Sequence, residues 1–95
     1  MEISTSENNG AVTITIKTKE FTFKSHGAFR KSYEDAKADR AIVDFRHVDY
    51  VDSSALGMLL IIQKEFKGGV EIHNCNEKLT RVFKVANFDK IFNFK

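Results

Sequence analysis

Hydrophobic and polar residues alternate near the start of the chain. The stretch AVTITIK, residues 11–17, places Val or Ile at every second position, and this period of two predicts a strand with one buried face. The dipeptide Asn9-Gly10 precedes it, and both residue types accept the positive φ angles of a tight turn. We therefore expect residues 2–6 to form an antiparallel partner strand, so that residues 1–10 contribute an edge hairpin.

A helical spacing of apolar residues follows the hairpin. Phe29, Tyr33 and Ala36 share one face of an amphipathic helix that the pattern predicts over residues 27–38. Ser25 stands just before this segment, and serine is a favoured N-cap residue. We therefore predict that Ser25 caps the first helix.

Two further helices are predicted in the second half of the chain. The second covers residues 54–66 and ends before the pair Gly68-Gly69, because glycine accepts a left-handed closing residue. The third begins after Asn76, which is a favoured N-cap. Its apolar side is predicted to contain Leu79, Val82, Phe83 and Ala86.

Short apolar runs predict the remaining strands. Residues 41–45, AIVDF, have the composition of a strand buried on both faces, and residues 21–23, 70–73 and 91–94 are further extended segments. Strands that alternate with helices favour parallel pairing through right-handed crossovers. The sequence therefore predicts an α/β fold with a mixed four- to five-stranded sheet and helices packed on it, in one domain of 95 residues.

The charge pattern limits the classes of partner. Fifteen Lys and Arg against thirteen Asp and Glu give a net charge of +2, with the signs interspersed along the chain, which argues against a nucleic-acid or anionic-membrane binder. The apolar run of residues 55–62 is far shorter than a membrane span needs. A polar start without a secretory signal and a single cysteine, Cys75, indicate a cytoplasmic protein. The oligomeric state stays open, although edge strands can self-associate.

The stretch VDSSALG, residues 51–57, joins a strand end to a helix start, which is where α/β folds usually carry function. Asp52, Ser53 and Ser54 are all favoured N-cap residues. One helix needs only one cap, so capping accounts for one of the three side chains and leaves two to be explained.

An enzymatic role for the serines has little support. A hydrolase nucleophile elbow needs Gly two residues before and two residues after its serine, and neither Ser53 nor Ser54 has these neighbours. His26, His47 and His73 show no companion pattern, and metal-binding, P-loop and dinucleotide-binding motifs are absent from the sequence. We therefore expect no enzymatic activity, no metal and no cofactor.

A phosphate acceptor is the third interpretation of the two hydroxyls. A serine at a helix start lies beside unpaired backbone N–H groups and the positive end of the helix dipole, which stabilise a phosphate. The same place would suit a small-molecule or nucleotide anion, which is an alternative use of Ser53 and Ser54.

The geometry of the second helix predicts a docking surface. At about 100° per residue, one side should face the sheet, and this side contains Ala55, Met58, Leu59, Ile62 and Phe66. The opposite side contains Ser54, Gly57, Ile61 and Lys64, with Leu60 on its flank. Exposed apolar residues beside a glycine would form a docking ridge, whereas a wholly buried helix is the alternative.

The motif Asp52-Ser53-Ser54-Ala55-Leu56-Gly57, after the strand of residues 41–45, resembles the signature of the STAS domain. This fold is shared by bacterial anti-sigma factor antagonists and by the cytoplasmic tails of sulfate transporters. The segments FRKSYEDA, GGVEIHNCNEKLTRVFKVANF and KIFNF fall where the family has its first helix, its fourth strand with third helix, and its last strand. The resemblance covers nearly the whole chain.

The resemblance to the antagonist branch implies a phosphorylation switch. The second hydroxyl of the triplet, Ser54, would be phosphorylated by a serine kinase that doubles as an anti-sigma factor, with Ser53 as the second choice. A PP2C-type phosphatase would reverse the reaction, and the dephosphorylated protein would bind the kinase-like partner and free the sigma factor. Asp52 would orient the site and Gly57 would allow close approach. The partner surface would contain Ser53, Ser54, Gly57, Leu60, Ile61 and Lys64.

Three features depart from the family pattern. Ala55 replaces the glycine that usually follows the triplet, and Thr22 stands where many antagonists carry an Asp in a GELD-like segment. The final helix that many members have is expected to be absent. The resemblance also leaves open a constitutive STAS interaction module in another pathway, such as motility, biofilm control or lipid transport, whose serines only cap the helix.

Overall fold

The hairpin at the start of the chain has the predicted form. In the computed structural model, which describes residues 2–95, strands β1 (Ile3–Asn8) and β2 (Ala11–Ile16) pair in antiparallel fashion, with Ile3 opposite Ile16. Asn9 and Gly10 connect them with φ angles of 53° and 80°, as a two-residue hairpin turn requires.

The other strands of the main sheet are parallel to β2. They are β4 (Arg40–Asp44), β6 (Val70–His73) and β7 (Asn93–Phe94), and the order across the sheet is β1-β2-β4-β6-β7. Among the strands of this sheet within residues 2–95, only β1 runs antiparallel. The predicted mixed sheet is therefore confirmed, with five strands.

A second, two-stranded sheet lies beside the first. It pairs β3 (Glu20–Phe21) with β5 (Tyr50–Val51), which are parallel. The sequence pattern predicted an extended segment over residues 21–23 but no strand at Tyr50–Val51. The segment is shorter than expected because Phe23 already begins a 3-10 turn, Phe23–Ser25.

Three helices cover one face of the sheet: α1 (His26–Tyr33), α2 (Ser53–Glu65) and α3 (Glu77–Val85). The burial of the strands alternates accordingly. On β2, Val12 and Ile14 are buried while Thr13 and Thr15 are only half-buried. The helices and the buried strand positions share one hydrophobic core. No helix within residues 2–95 is long and apolar enough to cross a membrane.

The prediction that residues 41–45 are buried on both faces is wrong. Ala41 and Val43 are fully buried against the helices, but Ile42 points to the other face and is half-buried. Its neighbours across the sheet are Thr13 and Glu71. A short apolar run has the same composition in a one-sided and a two-sided strand, so the pattern could not separate them.

Helix α1 begins where predicted, within one residue, but is shorter than predicted at its carboxyl end. It ends at Tyr33 instead of Ala38, and the acidic residues Glu34 and Asp35 at its carboxyl end are unfavourable there. The chain must also reach the sheet: the N–H groups of Asp39 and Arg40 both donate to the carbonyl of Gly10, at 3.0 and 3.3 Å. These bonds fix the entry into β4.

Ser25 does not cap α1 with its side chain, contrary to the prediction. Its Oγ instead accepts the N–H of Thr22 at 3.3 Å, and Thr22 Oγ1 accepts the N–H of Lys24 at 3.3 Å. The two hydroxyls therefore form a capping box around the 3-10 turn that precedes α1.

The carboxyl-terminal half follows the prediction more closely. Asn76 caps α3, since its Oδ1 accepts the N–H of Leu79 at 2.8 Å. Val82, predicted on the apolar side, lies at the edge of the covered surface and is 36% exposed. The last strand covers Asn93–Phe94 rather than residues 91–94, because the N–H groups of Ile91 and Phe92 donate to the carbonyl of Phe88 and close the preceding 3-10 turn, Phe88–Lys90.

Aromatic rings form a continuous chain through the core. Phe45 lies in its middle, with its ring centroid 5.7 Å from Phe21 and 5.5 Å from Phe83, both in edge-to-face geometry. The chain continues from Phe21 to Phe29 and Tyr33 of α1. Edge-to-face pairs add about 0.5–1.5 kcal/mol beyond the burial of their area.

We predict that Phe45→Ala lowers the free energy of unfolding by about 3–5 kcal/mol, because it leaves a cavity at the centre of this chain. Urea denaturation followed by circular dichroism measures the change. Phe23→Ala is the matched control: Phe23 is 63% exposed, so its truncation should change stability by less than about 0.5 kcal/mol. Equal losses in the two variants would contradict the central role of Phe45.

Candidate functional site

Asp52 organises the junction between β5 and α2. Its Oδ1 accepts the N–H of Ala55 at 2.9 Å, which makes it the N-cap of α2. Its Oδ2 accepts the N–H of Phe23 at 3.1 Å, from the 3-10 turn that precedes α1. One carboxylate therefore caps the helix and joins it to a segment 29 residues earlier in the chain.

Ser53 and Ser54 are the first two residues of α2, and both are exposed. Within residues 2–95 neither hydroxyl forms a side-chain hydrogen bond, whereas Asp52 already supplies the cap. Of the three candidate caps, Asp52 is therefore the one that the helix uses. The two hydroxyls face solvent beside the unpaired backbone N–H groups of the first helical turn.

The segment around Thr22 lies directly beside this junction. Phe21 pairs with Val51 in the small parallel sheet, and the N–H of Phe23, two residues later, donates to Asp52. Thr22 is itself buried, and its hydroxyl is occupied by the capping box of the 3-10 turn. The position at which the family often carries an Asp is thus held here by a threonine with a structural role.

The two sides of α2 divide as the helical spacing predicted. The side that faces the sheet is buried, and it contains Ala55, Met58, Leu59, Ile62 and, just after the helix, Phe66. The opposite side, which we call the α2 ridge, contains Ser54, Gly57, Leu60, Ile61 and Lys64. Leu60 and Ile61 are 40% and 49% exposed, so the alternative of a wholly buried helix is wrong.

Exposed apolar groups flank the α2 ridge on both sides. On the α1 side, Phe23 is exposed, and Ile61 lines a small pocket with His26 and Met58. On the α3 side, an apolar groove is lined by Leu56, Arg81, Val82, Val85 and Ala86.

Sequence reasoning missed Phe23 and Val85 as surface residues. Phe23 follows a threonine that caps a turn, and Val85 is the last residue of α3, where it is 86% exposed. The helical spacing was the available signal, because at about 100° per residue Val85 falls outside the side of α3 that contains Leu79, Phe83 and Ala86.

His73 and Cys75 lie outside the α2 ridge. His73 lies on the uncovered face of the sheet, where its Nε2 is 2.9 Å from Glu71 Oε1; this hydrogen bond lowers the pKa of Glu71 below its ordinary value. Burial, assisted by the charge of Asp44, raises the pKa of the Cys75 thiol to about 12. Within residues 2–95, no group of three or more His, Cys, Asp or Glu side chains is arranged to hold a metal ion.

Comparison with known proteins identifies the family of this chain. The sequence matches the family model of the STAS domain over residues 2–95, and the chain therefore belongs to the STAS domain family. A STAS-domain containing protein of Pseudomonas aeruginosa strain UCBPP-PA14 is 36% identical over 87 residues, covering 85% of this chain and 84% of that protein.

Solved structures share the fold at low sequence identity. A candidate anti-sigma factor antagonist of Thermotoga maritima superposes with a TM-score of 0.86 at 22% identity, covering 97% of this chain and 84% of the other. The antagonist SpoIIAA in its unphosphorylated form gives 0.81 at 17% identity, with 98% and 87% covered. The phosphorylated form of Bacillus SpoIIAA gives 0.67 at 15% identity, with 98% and 90% covered.

We predict that Asp52→Ala destabilises the protein by about 1–2 kcal/mol, because it removes the N-cap and the bond to the N–H of Phe23. Ser53→Ala and Ser54→Ala should each change the free energy of unfolding by less than about 0.5 kcal/mol. Chemical denaturation of the three variants measures these differences. A serine variant as unstable as Asp52→Ala would show that the hydroxyls are the structural caps.

Proposed function

We propose that this protein is a non-enzymatic regulatory module of the anti-sigma factor antagonist kind. In this proposal it binds a kinase-like anti-sigma factor through the α2 ridge, and the kinase phosphorylates Ser54. A PP2C-type phosphatase restores the binding form. The observation that carries the proposal is the exposed, unbonded hydroxyl of Ser54 on a helix whose cap is supplied by Asp52.

The position of Ser54 suits a phosphate that leaves the fold unchanged. A phosphoryl group adds about −1.5 to −2 charges at neutral pH, and the amino-terminal end of α2 is the favourable end of the helix dipole for an anion. Because Asp52 already holds both α2 and the turn at Phe23, modification of Ser54 need not break any hydrogen bond of the described residues.

The surface around Ser54 supports a change of partner affinity. Ile61 on α2 and Phe23 on the adjoining 3-10 turn are both exposed, and these two elements are in contact with each other. A partner that packs on these apolar groups would bring its own surface close to Ser54. A charge placed there must be desolvated in the complex, and a cost of only about 1.4 kcal/mol is already a tenfold loss of affinity.

The choice of Ser54 over Ser53 rests on the family pattern, in which the second hydroxyl of the triplet takes the phosphate. Both serines are exposed and both lie in the first turn. The existence of SpoIIAA structures in phosphorylated and unphosphorylated forms supports a fold that tolerates such a modification.

A constitutive interaction module is the second candidate function. The apolar groove between α2 and α3, with Val85 at its rim, offers a binding surface on which no serine lies. In this case the partner would belong to a different pathway, such as motility, biofilm control or lipid transport, and the affinity would not depend on Ser54.

We predict that Ser54→Asp weakens binding of the kinase-like partner by at least about tenfold, because a charge enters the interface. Wild-type protein and Ser54→Ala should both capture this kinase from a lysate of the source organism, as identified by mass spectrometry. Isothermal titration calorimetry with the purified kinase then measures the affinities.

One control tests whether any added charge weakens binding, and a second tests which serine accepts the phosphate. Asn8→Asp adds the same charge on the hairpin and should leave the affinity unchanged. In a phosphorylation reaction with the kinase and ATP, Ser53→Ala should accept phosphate and Ser54→Ala should not. Equal affinity of wild type and Ser54→Asp would refute the switch and favour the constitutive module.

A second prediction concerns the glycine in the middle of α2. An added Cβ at Gly57 meets no atom within 4 Å, so Gly57→Ala should stabilise the fold by about 0.5–1 kcal/mol through helix propensity. We expect the same substitution to weaken partner binding, because a methyl group then stands between Ser54 and Ile61 on the α2 ridge.

Thermal unfolding and calorimetric titration test the two halves of this prediction. Gly27→Ala is the matched control, since Gly27 lies in α1 and an added Cβ there also meets no atom within 4 Å. A Gly57→Ala variant that binds as tightly as wild type would show that the partner does not approach the middle of α2.

A further inference from the structure

The outer side of β1 is an unpaired sheet edge. β1 is the first strand of the five-stranded order, and within residues 2–95 no strand pairs with its outer side. It pairs with β2 through six consecutive residues without a bulge. It contains no Pro, no Lys and only one charged residue, Glu7. Bulges, prolines and lysines are features with which proteins usually protect a sheet edge from pairing, and β1 has none of them.

The hydrogen bonds to β2 show which groups of β1 point outward. The N–H of Lys17 donates to the carbonyl of Glu2 at 2.7 Å. Hydrogen-bonded and non-hydrogen-bonded pairs alternate along an antiparallel ladder, so the even-numbered residues of β1 bond to β2. The N–H and C=O groups of Ile3, Thr5 and Glu7 therefore point away from β2, toward the free edge.

We propose that this edge pairs with the same edge of a second copy of the chain. An antiparallel pairing centred on Thr5 places Thr5 opposite its own counterpart and Ile3 opposite Glu7 of the second copy. Each of these pairs consists of two outward-pointing residues, so each exchanges two backbone hydrogen bonds. A register centred on Glu7 would instead set two carboxylates opposite each other, which is unfavourable.

The charge of Lys31 beside the edge complements this register, whereas the carboxylate of Glu2 at the same groove does not. Lys31 of α1 lines a groove between α1 and β1 together with Ile3, Thr5 and Ala28, and Glu2 stands at the same groove. The two-fold axis is perpendicular to the sheet, so both copies keep their helices on one face. Glu7 of the second copy, opposite Ile3, then projects into the groove that contains Lys31. Neither Glu7 nor Lys31 has an ion-pair partner within the described part of its own chain.

The resulting dimer has a continuous sheet and a small interface. A seam of one six-residue strand from each copy buries less than the roughly 1,200 Å² of a standard stable interface. The association is therefore weak and reversible, and it increases with protein concentration. Because the interface is isologous, it closes at two copies. No residue of the α2 ridge takes part in it.

Hydrogen exchange of the wild-type protein gives the sharpest test. We expect the amides of Ile3, Thr5 and Glu7 to become protected as the concentration rises from about 10 μM to about 1 mM, while those of Ser4, Ser6 and Asn8 are protected throughout. Sedimentation equilibrium over the same range should show a monomer that converts to a dimer.

Variants separate the pairing from other forms of self-association. Thr5→Pro should abolish dimerisation without loss of folding, because the N–H it removes points away from β2; Thr5→Val is the control that retains it. Glu7→Lys should weaken the dimer at least about tenfold, and Glu7→Lys combined with Lys31→Glu should restore most of the loss.

Two results would overturn the proposal. One is a wild-type protein that stays monomeric at about 1 mM, with exchange of the Thr5 amide independent of concentration. The other is a dimer that Thr5→Pro does not affect. Protection of the same amides only after another protein is added would assign the edge to a strand of that protein and would likewise overturn self-pairing.

Discussion

The burial of Phe45, directly after β4, is the constraint on which most of the molecule depends. Its ring is fully buried and packs edge-to-face on Phe21 and Phe83, so it joins the small sheet, the main sheet and α3. From Phe21 the aromatic chain continues to α1, and from Phe83 it continues to the carboxyl-terminal segment. The chain leaves β4 at this point, so the same packing fixes where the segment that contains Asp52 begins.

The sequence predicted the architecture where local pattern and tertiary packing agree. The hairpin at Asn9-Gly10 and the two sides of α2 were predicted correctly, because turn chemistry and helical period act within a few residues. The end of α1 and the strand Tyr50–Val51 were not. Both depend on partners that are distant in the sequence, the carbonyl of Gly10 and β3 respectively.

The candidate site was predictable in its residues and only partly in its arrangement. Three adjacent residues could each cap α2, and only the structure shows that Asp52 does so and that its second oxygen binds Phe23. That bond links positions 29 residues apart, and no local pattern contains it. The role of Ser25 was misassigned for a different, local reason: its hydroxyl binds the N–H of Thr22, three residues earlier, and so serves the preceding turn instead of α1.

The bond between Asp52 and the N–H of Phe23 also has a thermodynamic consequence for recognition. The ring of Phe23 is largely exposed, yet its backbone is held by Asp52 and by the capping box of Thr22 and Ser25. An exposed aromatic group usually loses freedom when it binds, at a cost of about 0.5–1.5 kcal/mol for a mobile side chain. The turn that carries Phe23 is already ordered by these bonds, so a partner that contacts the ring would not have to order this part of the backbone.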